Sequence, residues 1–120
     1  MTAENQSSLF PEWTREFPGA ITVCDTEGHI LSMNQRARET FVKHGGEDLI
    51  GKSLLDCHPE PARTKLKNLL VQPATNAYTI EKPGVKKLIY QAPWFRDGIF
   101  AGLVELSLVI PTEMPHFKRS

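Results

Sequence analysis

Cysteine is scarce in this chain of 120 residues: Cys24 and Cys57 are the only two, too few for a disulfide framework. Cys24 lies in an apolar run where a buried thiol is common, so a reducing, cytoplasmic setting is the expectation. No apolar run approaches the roughly 18 residues that span a bilayer. The opening "MTAENQSS" is polar and lacks the charged-then-apolar pattern of a secretion signal, so no membrane role is expected. Net charge is absent too, 14 basic residues offsetting 14 acidic ones. The basic residues are scattered, with Lys86-Lys87 and Lys118-Arg119 the adjacent pairs of note, so nucleic acid is not an expected partner. Missing as well is a Gly-x-Ser-x-Gly elbow, and the acidic residues fall mostly in turns and on polar faces, which argues against an enzyme.

Periodic segments, by contrast, fill the chain. Leu9, Trp13 and Phe17 recur every four residues behind Ser7, Ser8 and Pro11, which predicts a short amphipathic helix over residues 1–17. A helix that short is not stable alone and must lie against something. "AITVCDTEGHILSMN" predicts a hairpin over residues 20–25 and 29–33, followed by Asn34 as the cap of a helix "QRARETFVKH" that Gly45-Gly46 ends. Residues 47–56 predict short helical turns broken by Gly51. After "CHPEP" comes the clearest helix, residues 60–71, with Ala62, Leu66, Leu69 and Leu70 on one stripe. Three strands follow, "NAYTIEK", "KKLIYQAPWF" and "IFAGLVELSLVI", and residues 111–120 form an irregular tail. Strands, then helices, then strands predict an α+β domain over residues 18–110, with helices on one face of an antiparallel sheet.

With these punctuation residues, that order resembles the PAS sensor domain over roughly residues 15–110. The resemblance rests on Asp25 and Gly28 in the first turn and Asn34 at the helix start. It also rests on the Ile50-Gly51-Lys52 and His58-Pro59-Glu60 steps in "DLIGKSLLDCHPE", and on Asp97-Gly98 in the last hairpin. It implies a five-stranded sheet, helices cupping a small pocket, and sensing and signal transduction rather than catalysis. In place of the Asp-Ile-Thr-like hinge that often ends the family stands "LVIPTEMPHFKRS", so the expectation is that a built-in output domain is absent.

Two stretches invite a chemical reading. Gly46 to Ser53 fits the phosphate-loop pattern, but a helix precedes it, Glu47 and Asp48 sit inside it, and Pro59 interrupts any helix after it. It reads as a connector. Cys57 and His58 stand adjacent, without further ligands at zinc spacing, so no metal site is expected. They are the candidates for a haem or thiol-redox role, the alternative being that His58-Pro59 serves the turn. The haem-binding branch of the resembled family places its histidine inside the long helix, and residues 60–71 contain none. The flavin branch needs a cysteine soon after Ile-Gly, where this chain has leucine, so no flavin is expected.

The remaining stretches are apolar. Strand parity and the helical stripe nominate a ligand pocket of Val23, Phe41, Leu66, Leu69, Leu70, Tyr78, Ile80, Tyr90, Trp94, Val104 and Leu106. Along the last strand Phe100, Val104, Leu106, Leu108 and Ile110 are expected on the pocket face, with Leu103 and Val109 on the outer one. Leu9, Trp13, Phe17, Leu103 and Val109 are then the nominated interface of a homodimer, formed by the N-terminal helix on the outer face of the sheet. Three functions compete on these grounds. The first is a non-catalytic sensor of a small ligand or signalling partner without a cofactor; the others are a haem or redox sensor, and a dimerisation module with a filled core.

Overall fold

The computed structural model describes residues 11–120. Its first hairpin forms where β-branched residues run on either side of an Asx turn: β1 is Ala20–Cys24 and β2 is Ile30–Met33. Asp25 Oδ1 accepts the backbone N–H groups of Glu27 and His29, each at 2.9 Å. Gly28 completes the turn at φ 88°, a conformation that a side chain disfavours.

Asn34 ends the hairpin and starts a helix at once. Its Oδ1 accepts the N–H of Ile21 at 2.9 Å and that of Ala37 at 3.0 Å. Its Nδ2 donates to the carbonyls of Thr14 and Gly19, both at 2.9 Å. One buried amide thus ties the N-terminal segment, β1 and helix α1 (Gln35–Thr40) together. The helix is shorter than the sequence predicts. Thr40 turns its hydroxyl back onto the Arg36 carbonyl, Phe41 leaves helical geometry, and a 3-10 turn (Val42–His44) closes on left-handed Gly45.

The connector consists of two 3-10 turns, Gly46–Leu49 and Leu54–Cys57. Between them the chain runs along the edge of β2: Ile30 N–H donates to Lys52 O, and Gly51 N–H to Ile30 O. Helix α2 (Ala62–Val71) follows and buries Leu66 and Leu69. Then come β3 (Asn76–Lys82), β4 (Val85–Arg96) and β5 (Ile99–Ile110). The sheet is antiparallel with order β2-β1-β5-β4-β3, which makes β5 its central strand. This is the predicted α+β architecture of five strands with helices on one face. Among the described residues no helix is long and apolar enough to cross a membrane.

Two expectations are corrected. The faces of β5 are exchanged: Leu103 is 1% exposed and packs with Leu54, Cys57, Leu66 and Leu69, so its face meets the helices. Val104 and Leu106, cross-strand partners of Val23 and Ile21, lie on the opposite face. Period-2 alternation separates two faces without saying which is covered, and both faces here are apolar. Phe100 does not follow Val104 either. Register shifts where Phe95 pairs Phe100 and Trp94 pairs Gly102, leaving Ala101 as a bulge, and Phe100 packs against the core. The second correction concerns the N-terminal helix, of which the described part is a single 3-10 turn, Glu12–Thr14. Thr14 is held by its hydroxyl on Pro11 O and its carbonyl on Asn34, and Pro18 comes soon after, so the chain leaves the helix early. Leu9 lies outside the described residues.

Candidate functional site

Glutamate is an unfavourable residue for the buried face of a central strand, yet Glu105 sits there, 5% exposed. Its Oε2 lies 2.8 Å from His58 Nε2 and accepts Gln91 Nε2 at 2.7 Å. Gln91, on β4, is itself buried, and its Oε1 accepts Asn76 Nδ2 at 3.0 Å from β3. A hydrogen-bonded row therefore crosses three strands and ends on the connector. The register places these groups side by side, Thr22 opposite Glu105, Glu105 opposite Gln91, and Gln91 opposite Asn76.

His58 completes the row because the turn Leu54–Cys57 delivers it there. Ser53 caps that turn with its hydroxyl, and the imidazole Nδ1 folds back to within 2.9 Å of Leu54 O. Nδ1 faces a carbonyl, which only accepts, and Nε2 faces a carboxylate. Both nitrogens must donate to satisfy both partners, which describes an imidazolium beside a carboxylate. Burial pulls the His58 pKa down, but the Glu105 hydrogen bond and charge, with the Leu54 carbonyl, more than offset it and leave the value raised. The surrounding acids move the other way in charge. Burial, with Asp56 and Glu105 adding, holds the Cys57 thiol protonated above its usual range. Burial pushes Cys24 up to about 11. Tyr78 is raised by burial and by Glu105.

The nominated pocket residues divide between the two faces. Phe41 and Leu70 pack around the core that holds Leu66 and Leu69, and Tyr78 and Ile80 share the inner parity of Asn76. Val23, Tyr90, Trp94, Val104 and Leu106 lie outside. Trp94 spans Gly102 and donates its indole N–H to Cys24 O at 2.9 Å; a Cβ on Gly102 would collide with that carbonyl. Of the nominated interface, Leu103 is core, and Val109 shares its face at the far end of the strand, 60% exposed. Trp13 and Phe17 stack edge to face, ring centroids 5.7 Å apart. The sequence reading passes over Glu105, Gln91 and Asn76. Their signal is present, a lone acid in "GLVELSL" and a lone amide in "LIYQAP".

Several amides of the phosphate-loop segment are already engaged. Asp48, Ile50, Gly51 and Lys52 N–H groups donate to Gly45, Glu47, Ile30 and Leu49 carbonyls. A shallow surface groove of about 350 Å³ beside it is lined by Arg38, Glu39, Val42, Gly45, Gly46 and Glu47.

The family profile described as PAS fold matches residues 14–110, most of the chain. The chain belongs to the PAS family. Among solved structures, the PAS domain of Bordetella pertussis BvgS is similar at 18% identity and TM-score 0.64, over 89% of this chain and 88% of that one. A sensory box sensor histidine kinase from Vibrio cholerae matches at 17% identity and TM-score 0.60, over 92% of this chain and 96% of that one. The Aer2 receptor of Vibrio cholerae, described as a dual PAS-haem oxygen sensor, matches at 18% identity and TM-score 0.56, over 78% and 95%. No curated protein matches the chain. A PAS domain of this kind is typical of signal-transduction proteins. In this PAS domain His58 does not fit a haem iron, since both ring nitrogens are already engaged by Leu54 and Glu105. Cys57 is buried, and burial with the charges of Asp56 and Glu105 disfavours its thiolate.

Proposed function

We propose that this PAS domain is a non-catalytic sensory module that couples a small ligand on the inner face of its sheet to a protein partner on the outer face. The partner in the first instance is a second copy of the chain. One observation carries the reading: both faces of β5 are apolar, but only the inner one carries a buried polar row. Inward β5 holds the polar row through Glu105. Outward it exposes a row of half-buried apolar side chains, Val104, Leu106, Leu108 and Ile110, continued by Leu88 and Tyr90 of β4. Contiguous apolar surface of this kind marks a partner site. The N-terminal segment reaches this face, for Gly19 is closely flanked by Leu108 and Phe17. Both cysteines are free and buried, which suits a reducing, cytoplasmic compartment.

Sedimentation velocity at micromolar concentration tests the partner half. A dimer is expected for the intact chain and a monomer for Leu106→Glu; a monomeric intact chain overturns it. Native mass spectrometry of the purified protein tests the ligand half, with a stoichiometric small molecule as the expected result and an empty protein as the contrary one.

A further inference from the structure

His58 and Glu105 are separated by 47 residues, and their contact is the polar tie between the connector and the central strand. We propose that it is a proton-binding site, a latch that holds residues 54–58 against β5 most tightly while the imidazole carries both of its protons. The inference rests on the sensory reading and names its signal, proton activity. Geometry makes the doubly protonated ring the form that satisfies both contacts. A neutral imidazole has one N–H for two acceptors. If the proton stays on Nδ1, a lone pair faces the Glu105 carboxylate at 2.8 Å. If it stays on Nε2, the Leu54 carbonyl loses the imidazole donor. The first tautomer breaks the tie to β5; the second keeps the Glu105 hydrogen bond but without the imidazolium charge, and frees a contact internal to residues 54–58.

The neighbours leave His58 as the group that responds. From the connector, Cys57 faces the site as a protonated thiol and Asp56 stands exposed beside it. From β5 comes Glu105, and from β4 and β3 come the neutral amides of Gln91 and Asn76 and the phenol of Tyr78. From β1, Cys24 stays protonated; from the end of α1 the Phe41 ring lies 6.4 Å from the imidazole. No lysine or arginine among the described residues pairs with Glu105, so the imidazolium is its partner.

The test is nitrogen-15 NMR of the histidines in the full chain from pH 5 to 10, with the methyl resonances of Leu54 and Leu55 followed in parallel. Expected is a His58 doubly protonated at pH 6, then a single transition shared by both leucines, with connector opening increased about tenfold on its alkaline side. In His58→Gln, which keeps a donor but does not titrate, the leucine transition disappears. In Glu105→Gln the His58 midpoint falls. A wild-type His58 already singly protonated at pH 6 overturns the latch, as do leucine methyls that titrate unchanged in His58→Gln. These readouts need neither ligand nor dimer, so failure of the sensory reading appears in sedimentation and mass spectrometry while the latch stands or falls separately.

Discussion

Among the described residues a histidine meets carboxylates at two places, and the two differ in almost everything that matters. In the β1–β2 turn His29 Nδ1 lies 3.3 Å from Asp25 Oδ2, with side chains 49% and 35% exposed. Under the connector His58 Nε2 lies 2.8 Å from Glu105 Oε2, with side chains 8% and 5% exposed. Water screens the first pair and solvates either partner that loses the other, so its coupling is worth a few tenths of a kcal/mol. No water replaces a lost partner in the second, where a stranded charge costs several kcal/mol. Burial, more than the identity of the two groups, decides whether a histidine and a carboxylate act on the fold.

The sharpest way to break this contrast is Glu105→Ala, which strands the imidazole and the Gln91 amide together. A loss of about 3–5 kcal/mol is expected in urea unfolding at pH 6. Next comes the pH profile. The folded value of His58 is raised above the ordinary 6.5, so its stabilisation is complete below that pH and is lost as pH rises through the folded value. Unfolding free energy should therefore decline on the alkaline side in the wild type, and His58→Gln should flatten that decline. A profile that His58→Gln leaves untouched would mean that the buried pair does not set it. Asp25→Ala should cost about 1 kcal/mol, mostly through the two turn amides its Oδ1 accepts rather than through His29. Smallest of all, His29→Gln should change stability by less than about 0.5 kcal/mol, read in the same unfolding assay.

The two pairs are also unequally legible in the sequence. The turn pair belongs to a local pattern, Asp-Thr-Glu-Gly-His, in which every partner lies within five positions, and the pattern itself marks a turn. Asn34 is legible for the same reason, since a cap acts on the residues just beyond it, although its bonds to Thr14 and Gly19 are not. The succession of strands and helices and their boundaries emerge from alternation and Gly or Pro punctuation, most ends falling within a residue or two. The buried pair is not legible because it joins positions 58 and 105 through register, and register needs the whole sheet. Alternation cannot choose the covered face of β5, since both faces are apolar, and a bulge at Ala101 moves Phe100 across. His58 stands out as a chemical group in the sequence, but its partner does not.

One strand concentrates the consequence. Along residues 103–108 of β5, each odd position answers to the helices beneath and each even position to whatever lies beyond the sheet. The segment is two interleaved texts written in one run of codons. Lineages can rewrite the even letters to change partners without editing the odd ones, and the converse holds for the proton site. A single inserted or deleted codon would hand each text to the other reader. Substitution should therefore be frequent here and length change rare.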